Sequence, residues 1–132
     1  MKQANVMWPL VRIALWLLFI WSLGGFVLGY VWDMISGLGH GGVIFVGLSL
    51  IHGVGTGLLQ GLWGIINRKT TFSMLENTVW GLSVALLLIL VFGYWRSLDS
   101  TRDAMALACP FVNSVVLGYV AATVLYRVEM QS

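Results

Sequence analysis

His52 is the side chain in this sequence with the clearest potential for chemistry, because it is an ionisable residue far inside an apolar segment. Ser49, Thr56 and Gln60 lie in the same segment at helical spacing. At about 100° per residue, Thr56 and Gln60 fall within about 20° of Ser49, and His52 lies about 60° away. An ionisable residue inside a membrane span predicts a functional site. The alternative is a neutral histidine that hydrogen-bonds between helices and holds their register.

Other segments carry polar residues at the depth of His52. That residue lies about nine positions, or roughly 14 Å, from the outer end of its span. The same distance into the last span reaches Asn113 and Ser114, and Ser22 of the first span has a similar depth. We therefore predict a polar cluster near the midplane, or residues lining a transport path, with these candidates: Ser22, Ser49, His52, Thr56, Gln60, Asn113 and Ser114.

A row of glycines accompanies the polar residues of the second span. Gly53, Gly57 and Gly61 form a glycine-zipper pattern, and Gly64 lies on the same side of the helix. Such small residues let helix backbones approach closely, and helix association in lipid depends on this packing. We predict that these four are helix-packing residues. Their partner is either another span of the same chain or a second copy; a locally unwound helix lining a permeation path is a third possibility.

The elements that position these residues follow from composition. The 132 residues are 59% hydrophobic and 9% charged, whereas soluble domains carry roughly 25% charged residues. A hydrocarbon core needs roughly 20 apolar residues per helix, and four such spans occur at about 9–32, 42–66, 74–95 and 103–126. Ser73 and Glu76 form a capping-box pattern at the start of the third span. We predict an all-α polytopic membrane protein: one domain, residues 1–132, with four transmembrane helices in an antiparallel bundle.

Basic residues predict the orientation of this bundle. One side of the membrane receives most of them: Lys2, Arg12, Arg68, Lys69 and Arg127. The positive-inside rule therefore places both termini in the cytoplasm, as in a bacterial inner membrane. Arg12 lies about one turn inside the first span, so it either extends to the headgroups or forms an ion pair with Glu76 on the same side.

Catalytic patterns are missing from the sequence. It has no metal-ligand, phosphate-loop or nucleophile motif, and its five acidic residues lie at span ends or in loops. His40 and His52 lie about 120° apart on a helix, so one chain cannot place both across a haem. The single cysteine, Cys109, cannot form an intrachain disulfide. We expect no enzyme activity, no metal site, no nucleic-acid partner and no cofactor, with haem possible only with a second chain.

These observations predict a non-catalytic integral membrane subunit of an oligomeric transport or channel-type assembly. It would associate through the glycine and polar face of the second span, either with itself or with larger membrane-protein partners. Two alternatives stay open: a haem- or quinone-linked membrane anchor that uses His52, and a purely structural assembly factor.

Overall fold

The protein is described as a computed structural model that covers residues 2–36, 42–69, 71–92 and 101–131, with side chains for 7–35, 45–69, 71–91 and 108–128. The described residues form four helices: α1 Lys2–Ser36, α2 Gly42–Ile66, α3 Met74–Phe92 and α4 Thr101–Gln131. Each helix contains a stretch that is long and apolar enough to cross a membrane. The all-helical class is therefore confirmed for the described residues, and four helices long and apolar enough to cross a membrane indicate an integral membrane protein.

The helix ends differ from the predicted spans in an informative way. α2 has the predicted bounds, but α1 and α4 extend beyond 9–32 and 103–126 at both ends. Hydropathy marks only the part that crosses hydrocarbon, whereas backbone hydrogen bonding continues the helix past it. Pro9, at the predicted start of the first span, consequently lies inside α1. The predicted end of the third span, at residue 95, falls outside the described residues.

The capping box at the start of α3 is confirmed. The backbone N–H of Glu76 donates to Ser73 Oγ at 3.1 Å, and the N–H of Ser73 donates to Glu76 Oε1 at 3.3 Å. The other carboxylate oxygen of Glu76 lies 2.7 Å from Lys69 Nζ. Glu76 therefore pairs with Lys69, and not with Arg12, the alternative that the sequence left open. Lys69 forms the ion pair because the short α2–α3 loop holds it beside the first turn of α3.

α1 and α2 pack with their backbones in contact. A Cβ atom at Gly57 would lie 2.7 Å from Leu18 Cα, and a Cβ at Gly53 would overlap the carbonyl oxygen of Trp21. Such distances leave no room for side chains. The two glycines are therefore a structural requirement of the α1–α2 interface within one chain.

The other two glycines of the row have different neighbours. A Cβ at Gly61 would lie 3.1 Å from Ala14 Cβ on α1, which continues the same interface. A Cβ at Gly64 would lie 3.0 Å from Phe72 Cζ in the α2–α3 loop. Gly64 thus makes room for a loop side chain rather than for a helix.

Helix α1 supplies glycines of its own to this interface. A Cβ at Gly29 would lie 2.6 Å from Val46 Cα, and a Cβ at Gly25 would overlap the carbonyl oxygen of Ser49. The close approach of the two helices therefore extends from the Gly29–Val46 contact to the Leu18–Gly57 contact. It holds the polar face of α2 in a fixed position.

Candidate functional site: the polar column along α2

Every polar residue predicted on the face of α2 is fully buried inside the bundle. Ser49 and Gln60 mark the two ends of this row, which is about 16 Å long at 1.5 Å per residue. Three residues from α3 and α4 are buried to the same degree. We call the seven together the polar column: Ser49, His52, Thr56, Gln60, Asn77, Asn113 and Ser114.

His52 lies at the centre of the column and hydrogen-bonds to two other helices. Its Nε2 is 2.9 Å from the carbonyl oxygen of Gly81 on α3 and 3.1 Å from Ser114 Oγ on α4. A carbonyl oxygen only accepts, so Nε2 must carry a proton. Ser114 donates its own hydrogen to the carbonyl oxygen of Pro110 at 2.7 Å, which leaves its oxygen free to accept from His52.

The second ring nitrogen of His52 is in a different situation. Nδ1 is buried and has no hydrogen-bond partner within the described part of the chain. In a neutral ring protonated at Nε2, Nδ1 is an unprotonated acceptor. The column thus contains one buried lone pair that could accept a proton, a hydrogen bond or a metal bond.

Residues of the other three helices pack closely around the His52 ring. The ring of Trp21 on α1 meets the imidazole edge-to-face, with centroids 6.0 Å apart at 82°. A Cβ at Gly81 would lie 2.8 Å from both Trp21 Cη2 and Ser114 Cβ. His52 is therefore fixed in orientation between α1, α3 and α4.

One end of the column joins Ser49 to α4 and to the last turns of α1. Asn113 Nδ2 donates to Ser49 Oγ at 3.0 Å, and Trp32 Nε1 donates to Asn113 Oδ1 at 3.0 Å. The buried Cys109 thiol lies 3.1 Å from Ser49 Oγ. The Trp32 ring also stacks on Phe45 with an interplanar angle of 10°. This end thus links α1, α2 and α4.

The other end joins Gln60 to α1 and α3. Trp21 Nε1 donates to Gln60 Oε1 at 3.1 Å, and Gln60 Nε2 donates to Asn77 Oδ1 at 2.8 Å. The Asn77 amide group in turn donates to the carbonyl oxygen of Ser73 at 2.9 Å. Between the two ends, Thr56 Oγ1 donates to the carbonyl oxygen of His52 at 2.7 Å.

The structure brings most of the sequence-predicted candidates together. Asn113 and Ser114 contact Ser49 and His52, as their matching depth in the membrane indicated. Ser22 is half-buried on α1 and makes none of the hydrogen bonds of the column. The cluster at the depth of His52 is therefore built from α2 and α4, with α1 contributing an indole in place of the serine hydroxyl.

Sequence reasoning missed four participants, namely Trp21, Trp32, Asn77 and Cys109. The sequence pattern places Trp32 at the outer membrane interface, and it indicates for Trp21 only a need for packing or lipid contact. The usable signal is the indole N–H, which seeks an acceptor when it is buried. Asn77 carries a similar signal, as an amide at the start of an apolar span.

The chemistry available to the column is that of hydrogen bonds and one histidine. Among the described residues, no group of three or more His, Cys, Asp and Glu side chains could hold a metal ion. His40, the other histidine considered for haem, lies outside the described residues. Comparison with models of protein families, with curated proteins and with solved structures found no match to this chain.

Proposed function

We propose that this chain is a non-catalytic integral membrane subunit of an oligomeric transport or channel-type assembly. The observation that carries the proposal is the position of His52, which contacts α1, α3 and α4 from the middle of a buried polar column. The donors of the column are aimed at acceptors within the same chain, as a bracing role requires. The subunit thus contributes a rigid, internally bonded bundle to a larger assembly.

The proposal includes an antiparallel bundle with both termini in the cytoplasm, as in a bacterial inner membrane. The opposite order of the contacts Gly29–Val46 and Leu18–Gly57 along α1 and α2 supports the antiparallel arrangement. The excess of lysine and arginine on one side of the spans supports the orientation.

Contact with other subunits passes through the outward faces of the bundle in this proposal. The sequence alone suggested association through the glycine and polar face of α2, but α1 of the same chain covers that face. The outward faces carry large apolar side chains such as Leu86 and Leu90 on α3. Such faces contact either lipid or the helices of a neighbouring subunit.

The test is the mass of the particle after gentle solubilisation from the native membrane, measured by light scattering on a chromatography column. We expect either a defined homo-oligomer or co-elution with larger, different chains. A homo-oligomer directs the search for a path to the space between copies, and co-elution makes the chain an accessory subunit. A lone monomer under conditions that preserve other native assemblies would overturn the proposal.

A pair of glycine variants sharpens this test. Gly57→Leu inserts a side chain where Leu18 Cα already lies, whereas a Cβ at Gly47 meets nothing within 4 Å. We expect Gly57→Leu to lose the assembly and Gly47→Leu to retain it, because assembly requires the folded bundle. An assembly that survives Gly57→Leu would contradict the role assigned to the bundle.

A second candidate, the haem- or quinone-linked anchor, is favoured by the free lone pair on His52 Nδ1. Since Nε2 is occupied by Gly81 and Ser114, a haem iron or a quinol hydroxyl would have to bind Nδ1. Visible absorption of the native-membrane particle tests the haem form. A Soret band that disappears in His52→Gln and persists in His40→Gln supports it, and the lack of such a band excludes it.

A further inference from the structure

A groove on the outside of the bundle runs between α1 and α4. It has a volume of about 420 Å³, and its lining is apolar, including Phe19, Leu23 and Val27 on α1 and Val116, Val120 and Val124 on α4. A second depression of about 300 Å³ is lined by α1 alone, from Trp8 and Arg12 to Trp16 and Phe19. The two adjoin at Trp16 and Phe19, which line both, and Arg12 lines the second.

The contacts between α1 and α4 place a second arginine at the same end of the groove. Trp32 contacts Asn113, and Gly24 lies against Leu117, so moving toward the start of α1 means moving toward the end of α4. At about 100° per residue, Arg127 falls within about 20° of Val120, on the groove side of α4. We call this end of the bundle the termini end.

Both arginines are available for a ligand. Arg127 is exposed and Arg12 is half-buried. The described part of the chain shows no acidic partner for either, and Glu76 is already bound by Lys69. Guanidinium groups bind phosphate through paired hydrogen bonds, and they do so more strongly where water is scarce.

The groove has the dimensions of a lipid chain. From Trp16 to Leu28, both of which line it, the distance along α1 is about 18 Å, and one leaflet of the hydrocarbon core is about 15 Å thick. A second copy of this chain fits the groove less well, because a symmetric contact there would bring four like charges together at the termini end. The charge favours an anionic occupant.

We propose that the α1–α4 groove is a binding site for one anionic phospholipid from the leaflet at the termini end. Its phosphate lies between Arg12 and Arg127, and one acyl chain follows the groove past Trp16 toward Leu28. The site involves none of the polar column, so it stands or falls independently of the proposed subunit function.

The experiment compares phosphatidylglycerol with phosphatidylcholine of identical acyl chains, added to the detergent-solubilised protein and counted as adducts by native mass spectrometry. We expect one phosphatidylglycerol to bind preferentially. Arg12→Gln/Arg127→Gln should weaken its binding by about 30-fold, since each basic residue near a headgroup contributes about fivefold. Arg68→Gln is the matched control, because Arg68 is an exposed arginine in the α2–α3 loop and should leave the preference unchanged.

A third variant tests the acyl part of the site. Val120→Trp fills the groove from an outward-facing position and should weaken both lipids alike. Circular dichroism checks that each variant is folded, and Arg127→Gln alone changes only an exposed side chain. Equal phosphatidylglycerol binding by wild type and the folded arginine variants would overturn the proposal. A Val120→Cys disulfide between two copies, without any lipid preference, would equally overturn it in favour of a protein contact.

Discussion

The carbonyl oxygen of Gly81 accepts a hydrogen bond from His52 Nε2 at 2.9 Å, and it can do so only because residue 81 has no side chain. A Cβ there would lie 2.8 Å from Ser114 Cβ and from Trp21 Cη2. The glycine thus brings the backbone of α3 close enough for the histidine of α2 to reach it. The glycine and the histidine form one structural unit.

Gly81→Ala should therefore destabilise the bundle by about 1–3 kcal/mol, the usual cost of overpacking a filled core. The measurement is reversible unfolding in mixed micelles. Gly55→Ala is the control, because its Cβ would make ordinary contact at 3.6 Å with Val84 Cγ1. Equal stability of the two variants would show that α3 can move away without cost.

The tautomer of His52 is a second prediction. Because Gly81 can only accept, we expect a neutral ring with the proton on Nε2 and none on Nδ1. Nitrogen-15 NMR of histidine-labelled protein distinguishes the two nitrogens by chemical shift, and a His40→Gln variant assigns the signals. A neutral ring that carries its proton on Nδ1 and none on Nε2 would contradict the direction of the hydrogen bond from His52 to Gly81.

The bond between Gln60 and Asn77 should have a measurable coupling energy. A double-mutant cycle of Gln60→Leu and Asn77→Leu is expected to give about 0.6 kcal/mol and at most about 1.7 kcal/mol, the average and the maximum for hydrogen bonds between membrane helices. Gln60→Leu alone should cost more, because it also leaves Trp21 Nε1 without its acceptor. Thr123→Val is the control, since the Thr123 hydroxyl donates to Tyr119 in its own helix. A coupling energy near zero would remove the Gln60–Asn77 bond as a brace.

Cys109 should resist thiol reagents while the bundle is folded. It is fully buried beside Ser49, whereas its neighbour Ala108 is exposed. A membrane-permeant maleimide should modify wild type only after denaturation. The double variant Cys109→Ala/Ala108→Cys should react in the native state. Rapid labelling of native wild type would show that this end of the column opens.

The end of α2 offers a stabilising substitution. Arg68 has a φ of 53°, in the left-handed region, and the N–H of Lys69 donates to the carbonyl oxygen of Gly64 at 2.8 Å. This is a Schellman cap, in which glycine is preferred. Arg68→Gly should raise the free energy of unfolding by about 1 kcal/mol, because it removes the strain of the side chain. Arg68→Ala removes the charge but keeps the strain, so it should not raise the free energy of unfolding. If Arg68→Gly and Arg68→Ala stabilised the protein equally, the effect would come from the charge.

The four helices could be predicted from the sequence because a membrane span requires a long apolar run. The polar face of α2 could be predicted because its polar residues recur with the 3.6-residue period of a helix. Depth matching also placed Asn113 and Ser114 near His52. The hydrogen bonds of Trp21 and Trp32 could not be predicted, because a sequence pattern does not distinguish an aromatic residue that packs inside the bundle from one that contacts lipid.

The alternative Arg12–Glu76 pair shows a different limit. Both residues are predicted on the same side of the membrane, but the sequence alone does not say which basic residue pairs with the Glu76 carboxylate. The answer depends on the path of the α2–α3 loop, which brings Lys69 to 2.7 Å from Glu76.

The distribution of partners along the chain has a consequence for biosynthesis. When α2 enters the membrane behind α1, Gln60 already finds Trp21, and the glycines of both helices can meet. The hydrogen-bond partners Gly81 of His52 and Asn113 of Ser49, however, are synthesised only after α2. A ribosome-bound chain that ends before α4 therefore lacks Ser114, the second partner of the imidazole, and Asn113, the partner of the Ser49 hydroxyl. Truncation after α3 should consequently give an insertion intermediate that membrane quality-control proteases recognise.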